Sequence, residues 1–281
     1  MINGRTISGI FNDSHVLILN SIGIKITKGF NVFGIYEDEK YFSIIENIKN
    51  AGEFSDRVTN VVFTQNEINT SETFMYRCGG FQNVYPIEDL LYESFGGSCP
   101  KCLQIIGNQI SPFAFHKVPK APKGRLFFAV NWIHNYLFTD KHLFEEIVEP
   151  WGLKSIPVLL GKRKVVSENI VQVVLPFANS KLHFGSSLYG ETFNEKGEVG
   201  PGNKPCTECN IVKYNTLQKD FFPDFEEPFD FNIVHTQEWF GNYHQIVISK
   251  KFADFLVENK FEKWDQRSFV PVKDFKKLNY D

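Results

Sequence analysis

Two short stretches organise this chain: CPKC at residues 99–102 and CTEC at residues 206–209. In each, two residues separate the cysteines, which lets both sulfur atoms face one ion while nearby backbone N–H groups donate to them. Four thiolates complete the tetrahedral shell that zinc prefers at a closed structural site. Because the chain has only five cysteines, two such pairs are a strong signal. We therefore predict a structural Zn²⁺ site with the ligands Cys99, Cys102, Cys206 and Cys209.

The gap between the two pairs, residues 103–205, is long for a zinc ribbon. One ion bound by both pairs would close a loop as large as a domain. Iron fits the same tetrahedral sulfur geometry and stays an alternative. A thiol redox pair normally opens a helix in a strand–helix unit, whereas a Gly-rich loop and a Gly/Pro turn precede these pairs. The fifth cysteine, Cys78, is interpreted as a non-ligand, although its Gly-rich surroundings leave open that it replaces one of the four.

The composition is that of an ordinary globular protein, with 42% hydrophobic and 22% charged residues among 281, enough for one large domain or two modest ones. A net charge of −3 gives no reason to expect a nucleic acid or an anionic membrane as partner. No stretch approaches the roughly 20 apolar residues of a membrane-spanning helix, and no signal peptide is visible. With an odd number of cysteines, these features predict a cytoplasmic protein.

Residues 1–75 are predicted to form a β-rich N-terminal region. A helix is expected over residues 41–49, where apolar side chains recur at helical spacing. Gly, Asn, Asp and Ser punctuate short β-rich runs. The predicted strands are residues 7–10, 15–19, 22–27, 30–36 and 58–64.

Residues 76–281 are predicted to form a zinc-clasped α+β region. It contains two strand–helix units, at about 125–176 and 232–281, each with a Pro-Val dipeptide after its helix. Their similarity suggests a weak internal duplication. The predicted fold class is therefore α+β, with mixed strand–helix units clasped by a zinc-ribbon-like site.

Each strand–helix unit has a candidate helix cap. Thr139 is expected to cap a helix over residues 140–149, which Pro150 ends. Ser249 is expected to cap a helix that runs to about Asn259. In both helices the apolar side chains recur at i, i+3 and i+4, which indicates one buried face.

An acidic and aromatic stretch covers residues 220–231. It is interpreted as an extended linker that packs its Phe side chains. The alternative is a recognition surface, in which acidic groups meet a cationic partner and Phe side chains fill the partner's pockets. The candidate partner-binding residues are Asp220, Asp224, Glu226, Glu227 and Asp230.

The motifs that carry enzyme chemistry are missing from the sequence. The seven histidines form no H-E-x-x-H or other paired ligand spacing. Neither a G-x-S-x-G nucleophile motif nor a G-x-x-x-x-G-K-[ST] phosphate loop occurs. We therefore predict no catalytic residue and expect a protein that is not an enzyme.

The order of motifs resembles a known family. A C-P-x-C pair at 99–102, a strand–helix unit at 126–158, a P-C-x-x-C pair at 205–209 and a strand–cap–helix unit at 246–272 follow one another. This order resembles the double-CXXCG-motif immunity proteins of bacterial polymorphic toxin systems, over roughly residues 95–275. Leu103 and Asn210 stand where that family has Gly, and Asn tolerates a left-handed turn.

The resemblance implies a non-enzymatic immunity protein of bacterial competition, whose partner is a cognate toxin that it binds and neutralises. Two alternatives come from the cysteine motifs themselves. A zinc-ribbon nucleic-acid-binding module would require a basic face. A thiol redox protein or metal-dependent enzyme would require a free reactive pair or an open metal site.

Overall fold

The computed structural model describes residues 2–37, 39–48, 54–102, 104–105, 108–184, 192–193, 199–200, 205–214, 221–264 and 268–273. The chain divides into two compact units. The first contains residues 1–70 and 217–221, and the second contains residues 71–216 and 222–281. None of the helices in these ranges is both long and apolar enough to cross a lipid bilayer.

The first unit is a three-stranded antiparallel sheet with helices. Its elements are β1 (Ile2–Phe11), α1 (Asp13–Ser21), β2 (Gly29–Tyr36), α2 (Glu39–Ile48), β3 (Phe54–Val62) and α3 (Gln65–Thr70). The strand order is β2–β1–β3. One face of the sheet and two helices enclose an apolar core of Ile7, Phe11, Leu19, Ile26, Ile44 and Ile48.

This unit contains more helix than the sequence predicted. The predicted strand at 15–19 is wrong, because these residues lie in α1. Asn12 caps this helix: its Oδ1 accepts from the backbone N–H of His15, and His15 Nδ1 accepts from that of Asn12. Residues 22–27 are not a strand either. The other predicted strands overlap β1, β2 and β3, and the predicted helix matches α2 as far as Ile48.

The second unit has two main sheets. Its strands are β4 (Thr73–Tyr76), β5 (Phe81–Gln82), β6 (Ala114–Phe115), β7 (Ala129–Val130), β8 (Leu137–Asp140), β9 (Lys154–Leu160), β10 (Val165–Val174), β11 (Thr192–Phe193), β12 (Val199–Gly200), β13 (Lys213–Tyr214), β14 (Phe222–Pro223), β15 (Ile233–Phe240), β16 (Tyr243–Ser249) and β17 (Phe269–Lys273). Its α-helices are α4 (Glu88–Glu93), α5 (Lys141–Leu143) and α6 (Lys250–Glu258). The sheets have the strand orders β6–β9–β10–β8 and β13–β15–β16–β4–β17–β14, while β5 pairs with β7 and β11 with β12.

Aromatic side chains dominate the core of this unit, as the 29 Phe residues of the chain suggest. One core cluster of this unit consists of Leu91, Phe95, Phe113, Phe115, Phe128, Val130, Ile133, Phe138, Val158 and Ile170.

The two main sheets share one arrangement of strands. In the first, β8 and β9 are joined by a helical segment and both pair antiparallel with β10, which lies between them. In the second, β16 and β17 are joined by α6 and both pair antiparallel with β4. Beyond these, β6 runs parallel to β9 and β14 runs parallel to β17. The central strand of the first sheet thus follows β9 in the chain, whereas that of the second precedes β16.

The register of the two sheets also agrees. The helix-capping residue pairs with the central strand in both: Asp140 with Ile170, and Ser249 with Thr73. The two Pro-Val dipeptides occupy equivalent places, since their prolines, at 157 and 271, lie opposite the next residue of that strand. The similarity that the sequence suggested around the two helices therefore extends to strand order, direction and register.

The predicted helix cap is correct in one of the two strand–helix units. Ser249 caps α6, because its hydroxyl oxygen accepts from the Phe252 N–H at 3.2 Å. In the other strand–helix unit the cap is Asp140, whose Oδ1 accepts from the N–H groups of residues 142 and 143. Thr139 is the wrong choice because it lies in β8 with its side chain in the core. Its hydroxyl has no hydrogen-bond partner among the described residues.

The predicted helix over residues 140–149 is also not a regular α-helix. After α5, the backbone widens into a π-helical turn at Phe144–Val148 and then tightens into a 3₁₀ turn at Glu149–Trp151. Gly152 ends the segment in a left-handed conformation with φ 80°. Phe144 and Val148 are buried one turn apart, as are Phe252 and Leu256 in α6.

Candidate metal centre

The four predicted ligands converge in the structure. The Sγ atoms of Cys99 and Cys206 are 3.9 Å apart, those of Cys102 and Cys209 are 3.7 Å apart, and all four lie within 4.8 Å of one another. A tetrahedral ion with Zn–S bonds of about 2.3 Å holds neighbouring sulfurs about 3.8 Å apart. A disulfide would bring two sulfurs to about 2.05 Å, and all five cysteines are free. The donor set therefore fits one metal ion.

Both cysteine pairs form the same tight turn. The backbone N–H of Cys99 donates to Gln104 O at 2.7 Å, and that of Cys206 donates to Ile211 O at 3.0 Å, five residues on in each case. Asn210 closes the second turn in the left-handed region, with φ 56°, as its side chain allows. Leu103, the corresponding residue of the first turn, lies outside the described residues.

The thiols of each pair are electrostatically unequal. Backbone N–H groups of Cys209 and Glu208 donate to the Cys206 thiolate and lower the pKa of Cys206 to about 6. The same type of contact lowers the pKa of Cys99. Desolvation raises the pKa of Cys102 and raises that of Cys209 to about 12. Because metal ligation requires thiolates, ion binding would release the protons that the second cysteine of each pair retains.

Two lysine side chains make hydrogen bonds around the cysteine cluster. Lys101 Nζ of the first turn donates to Thr207 Oγ1 of the second at 2.7 Å. Lys213 Nζ donates to Cys102 O at 3.3 Å and to Asn242 Oδ1 at 3.0 Å. These contacts link the two cysteine turns to each other and link the first turn to the β15–β16 turn. No sequence pattern predicts Lys213 or Asn242 as supporting residues, because both contacts join distant parts of the chain.

Cys78 lies outside the four-cysteine cluster. Its Sγ approaches Gly80 O at 3.5 Å, and burial next to Glu262 raises the pKa of Cys78 to about 12. The carboxylate of Glu262 is buried and accepts from Arg125, from the Tyr76 hydroxyl at 3.0 Å and from the Gly79 N–H at 3.1 Å. The alternative in which Cys78 replaces one of the four ligands is thus not what the structure shows.

The acidic and aromatic stretch packs several of its Phe side chains against one another. Phe222 and Phe225 are buried, and the rings of Phe225, Phe229 and Phe231 lie within 4.9–5.7 Å of each other. Phe229 and Phe231 are half-buried, so the buried Phe222 and Phe225 are the rings that belong to the core. Of the acidic candidates, Glu226, Glu227 and Asp230 are exposed, Asp224 is half-buried with its Oδ1 on the Phe225 N–H, and Asp220 lies outside the described residues.

Within the described part of the chain, the four cysteines are the one group of three or more Cys, His, Asp or Glu side chains arranged to share an ion. Comparisons of the chain with protein-family models, curated proteins and solved structures find no match. The candidate site is therefore interpreted from its own chemistry.

Proposed function

We propose that this chain is a cytoplasmic immunity protein that binds and neutralises a cognate bacterial toxin and is held together by a structural zinc ion. The observation that carries the proposal is the cluster of four thiolates, which joins two chain segments 107 residues apart. Four protein ligands fill a tetrahedral shell and leave no open position for a substrate, which favours a structural role. The toxin partner follows from the resemblance in motif order alone.

Zinc is the proposed ion because four thiolates in a closed tetrahedral shell are a common ligand set of structural zinc sites. Iron would take the same geometry. Elemental analysis of the purified chain should therefore find one zinc per chain and four thiols protected from alkylation. Visible absorption from iron–thiolate charge transfer would contradict the choice of zinc. A free reactive pair in metal-free protein would favour thiol redox chemistry.

The shared sheet arrangement supports an internal duplication in which the central strands are exchanged. One repeat would run through β4, the first cysteine pair, β6, β8 and β9. The other would run through β10, the second cysteine pair, β14, β16 and β17. The first strand of each repeat, β4 or β10, pairs within the sheet of the other repeat. The metal joins the two cysteine turns. In this arrangement the zinc-ribbon-like site stabilises the fold, and the surface of the second unit binds the toxin.

The exposed acidic groups at Glu226, Glu227 and Asp230 supply one part of that surface. Rim charges of this kind mainly raise the association rate with a cationic partner. A toxin that acts on an anionic substrate presents such a cationic face. The immunity protein would neutralise it by covering the groove in which that substrate binds.

The test uses the gene next to the one that encodes this chain. Cells that express the neighbouring protein's C-terminal domain should survive when this chain is co-expressed, and the two proteins should co-purify. A variant with Lys substituted at all three exposed acidic positions should protect less, while its metal content and melting temperature stay unchanged. The proposal would be refuted if the wild-type chain neither bound the neighbouring domain nor protected cells from it.

A further inference from the structure

The four cysteines of the cluster can also be joined without a metal ion. Sulfur atoms of the two turns approach each other in two pairs: Cys99 Sγ lies 3.9 Å from Cys206 Sγ, and Cys102 Sγ lies 3.7 Å from Cys209 Sγ. A disulfide brings its sulfurs to about 2.05 Å, so each of these facing pairs would close by about 1.7–1.9 Å. The side chains that fit one tetrahedral ion are thus also arranged as two facing pairs of thiols.

Backbone hydrogen bonds fix the shape of each cysteine turn. The Cys99 N–H donates to Gln104 O at 2.7 Å, and the Cys206 N–H donates to Ile211 O at 3.0 Å. In the second turn the Asn210 N–H also donates to Cys206 O at 2.8 Å. Bonds between the two turns leave these hydrogen bonds in place, because each turn can then move as a unit. The structure therefore favours disulfides between the turns over disulfides within one turn.

The two facing pairs differ in their access to solvent. Cys102 and Cys209 are both half-buried, so a small oxidant reaches either sulfur. In the other pair, Cys206 is half-buried and Cys99 is fully buried. The oxidation of a cysteine depends on its exposure as well as on its thiolate character. The pair formed by Cys102 and Cys209 is therefore the one that oxidises first.

We propose that a peroxide oxidises the cysteine cluster and replaces the metal ion with two disulfides that join the same two turns. A thiolate of the pair Cys102 and Cys209 attacks the O–O bond of the peroxide, which gives a sulfenic acid and releases hydroxide. The other thiolate of the pair attacks the sulfenic sulfur, so the S–S bond forms and a second hydroxide leaves. The two remaining thiolates hold the ion too weakly to keep it. Cys99 and Cys206 then react with a second peroxide in the same way, so four thiolates lose four electrons and two peroxides are reduced.

Oxidation of this kind keeps the clasp, the link between the two cysteine turns. The hydrogen bond from Lys101 Nζ to Thr207 Oγ1, at 2.7 Å, holds the turns in contact while the metal is lost. A disulfide between positions 107 residues apart restricts the unfolded chain as the metal does, whereas a disulfide within one turn leaves the turns unlinked. The second unit thus stays folded when peroxide removes its metal. The inference rests on the proposed function for the metal site and is independent of the toxin.

The disulfides are mapped on the full, zinc-loaded chain after treatment with hydrogen peroxide. Remaining thiols are blocked with N-ethylmaleimide under denaturing conditions, and the chain is digested without reduction. Trypsin cleaves after Lys101 and a glutamyl endopeptidase cleaves after Glu208, so each of the four cysteines lies on its own peptide. Mass spectrometry should find Cys102 joined to Cys209 first and the other facing pair second, with one zinc released per chain.

Three results of this mapping would overturn the proposal: disulfides within a turn, sulfinic acids without disulfides, or bound zinc with four thiols open to alkylation. If the purified chain binds no metal at the outset, the zinc site of the proposed function fails. The disulfide map of the same chain then still decides which cysteines pair. A chain that shows the expected disulfides but binds no toxin keeps this inference and loses the proposed partner.

Thermal unfolding tests whether the disulfides take over the clasp. The reduced, metal-free chain should melt about 10–20 °C below the zinc-loaded chain, and the oxidised, metal-free chain should melt within about 5 °C of it. Cys78→Ser is the matched control, because Cys78 lies outside the cluster and its loss should leave the disulfide map unchanged. An oxidised chain that melts as low as the reduced, metal-free chain would overturn the inference.

Discussion

Replacing one metal ligand should remove much of the stability of the second unit. Cys206→Ser leaves three thiolates, with Cys209 alone in the second turn, and we expect the ion to bind too weakly to hold the two cysteine turns together. The clasp connects positions 107 residues apart. In the loop-closure model, a link across about 107 residues stabilises the folded state by about 5 kcal/mol. That is a large share of the roughly 5–15 kcal/mol by which domains are stable.

The assay is thermal unfolding followed by circular dichroism, with metal content measured on the same samples. For a unit of roughly 150–250 residues, 1 kcal/mol corresponds to about 2–4 °C. Cys206→Ser should therefore melt about 10–20 °C below the wild type and contain no stoichiometric metal. A chelator should lower the wild-type melting temperature to the same value and leave the variant unaffected.

Cys78→Ser is the matched control, because it also exchanges a thiol for a hydroxyl but lies outside the cluster. It should keep one metal per chain and its sensitivity to the chelator. Thr207→Ala removes only the contact between Lys101 and the second turn and should cost about 1 kcal/mol or less. A Cys206→Ser variant that keeps its metal, or melts within 2 °C of the wild type, would refute the clasp.

Five further substitutions test local interactions in the second unit by urea denaturation. Asp140→Ala should cost about 1 kcal/mol because it removes a helix cap, whereas Thr139→Val should cost nothing, since the buried hydroxyl has no partner among the described residues. Glu262→Gln should cost about 3 kcal/mol because it leaves the Arg125 guanidinium without a carboxylate, while the exposed Glu226→Gln should stay within about 0.5 kcal/mol. The folded-state pKa of His235, about 4, is below its unfolded value of about 6.5, so the unfolded chain binds a proton first and stability falls as pH drops from about 6.5 to 4. In His235→Gln the free energy of unfolding should fall less steeply over this range, by about 1.4 kcal/mol per pH unit. An unchanged slope would contradict the burial of a neutral imidazole.

The parts of the structure that the sequence predicted correctly depend on short-range chemistry. The two C-x-x-C spacings predicted the cysteine cluster, because the geometry of each ligand pair is fixed within four residues. Ser249 was recognised as a cap for a similar reason, since capping involves only the first turn of the helix. The helix at Glu39–Ile48 was predicted correctly from its apolar spacing.

The errors fall where a local pattern is ambiguous. Residues 15–19 have the apolar character of a strand, yet a short apolar run does not distinguish strand from helix. The deciding signal is the helix cap at Asn12. The Asn12 side chain accepts from the His15 N–H, and the His15 side chain accepts from the Asn12 N–H. Thr139 and Asp140 are both acceptable caps by residue type. The pleat of β8 decides between them, because it points the threonine hydroxyl into the core.

The proposed strand exchange between repeats lies beyond any local sequence pattern, and it makes a prediction of its own. If β4 and β10 each complete the sheet of the other repeat, neither sheet can open fully without disturbing the other. Met75→Ala should create a cavity in β4, where Met75 is buried between Val247 and Val270, at a cost of about 2–5 kcal/mol. Native-state hydrogen exchange should then show opening free energies that fall by equal amounts in both sheets. Val165→Ala, at an exposed position of β10, should leave both unchanged. A loss confined to β16 and β17, with β8 and β9 as protected as in the wild type, would show that the two sheets open independently.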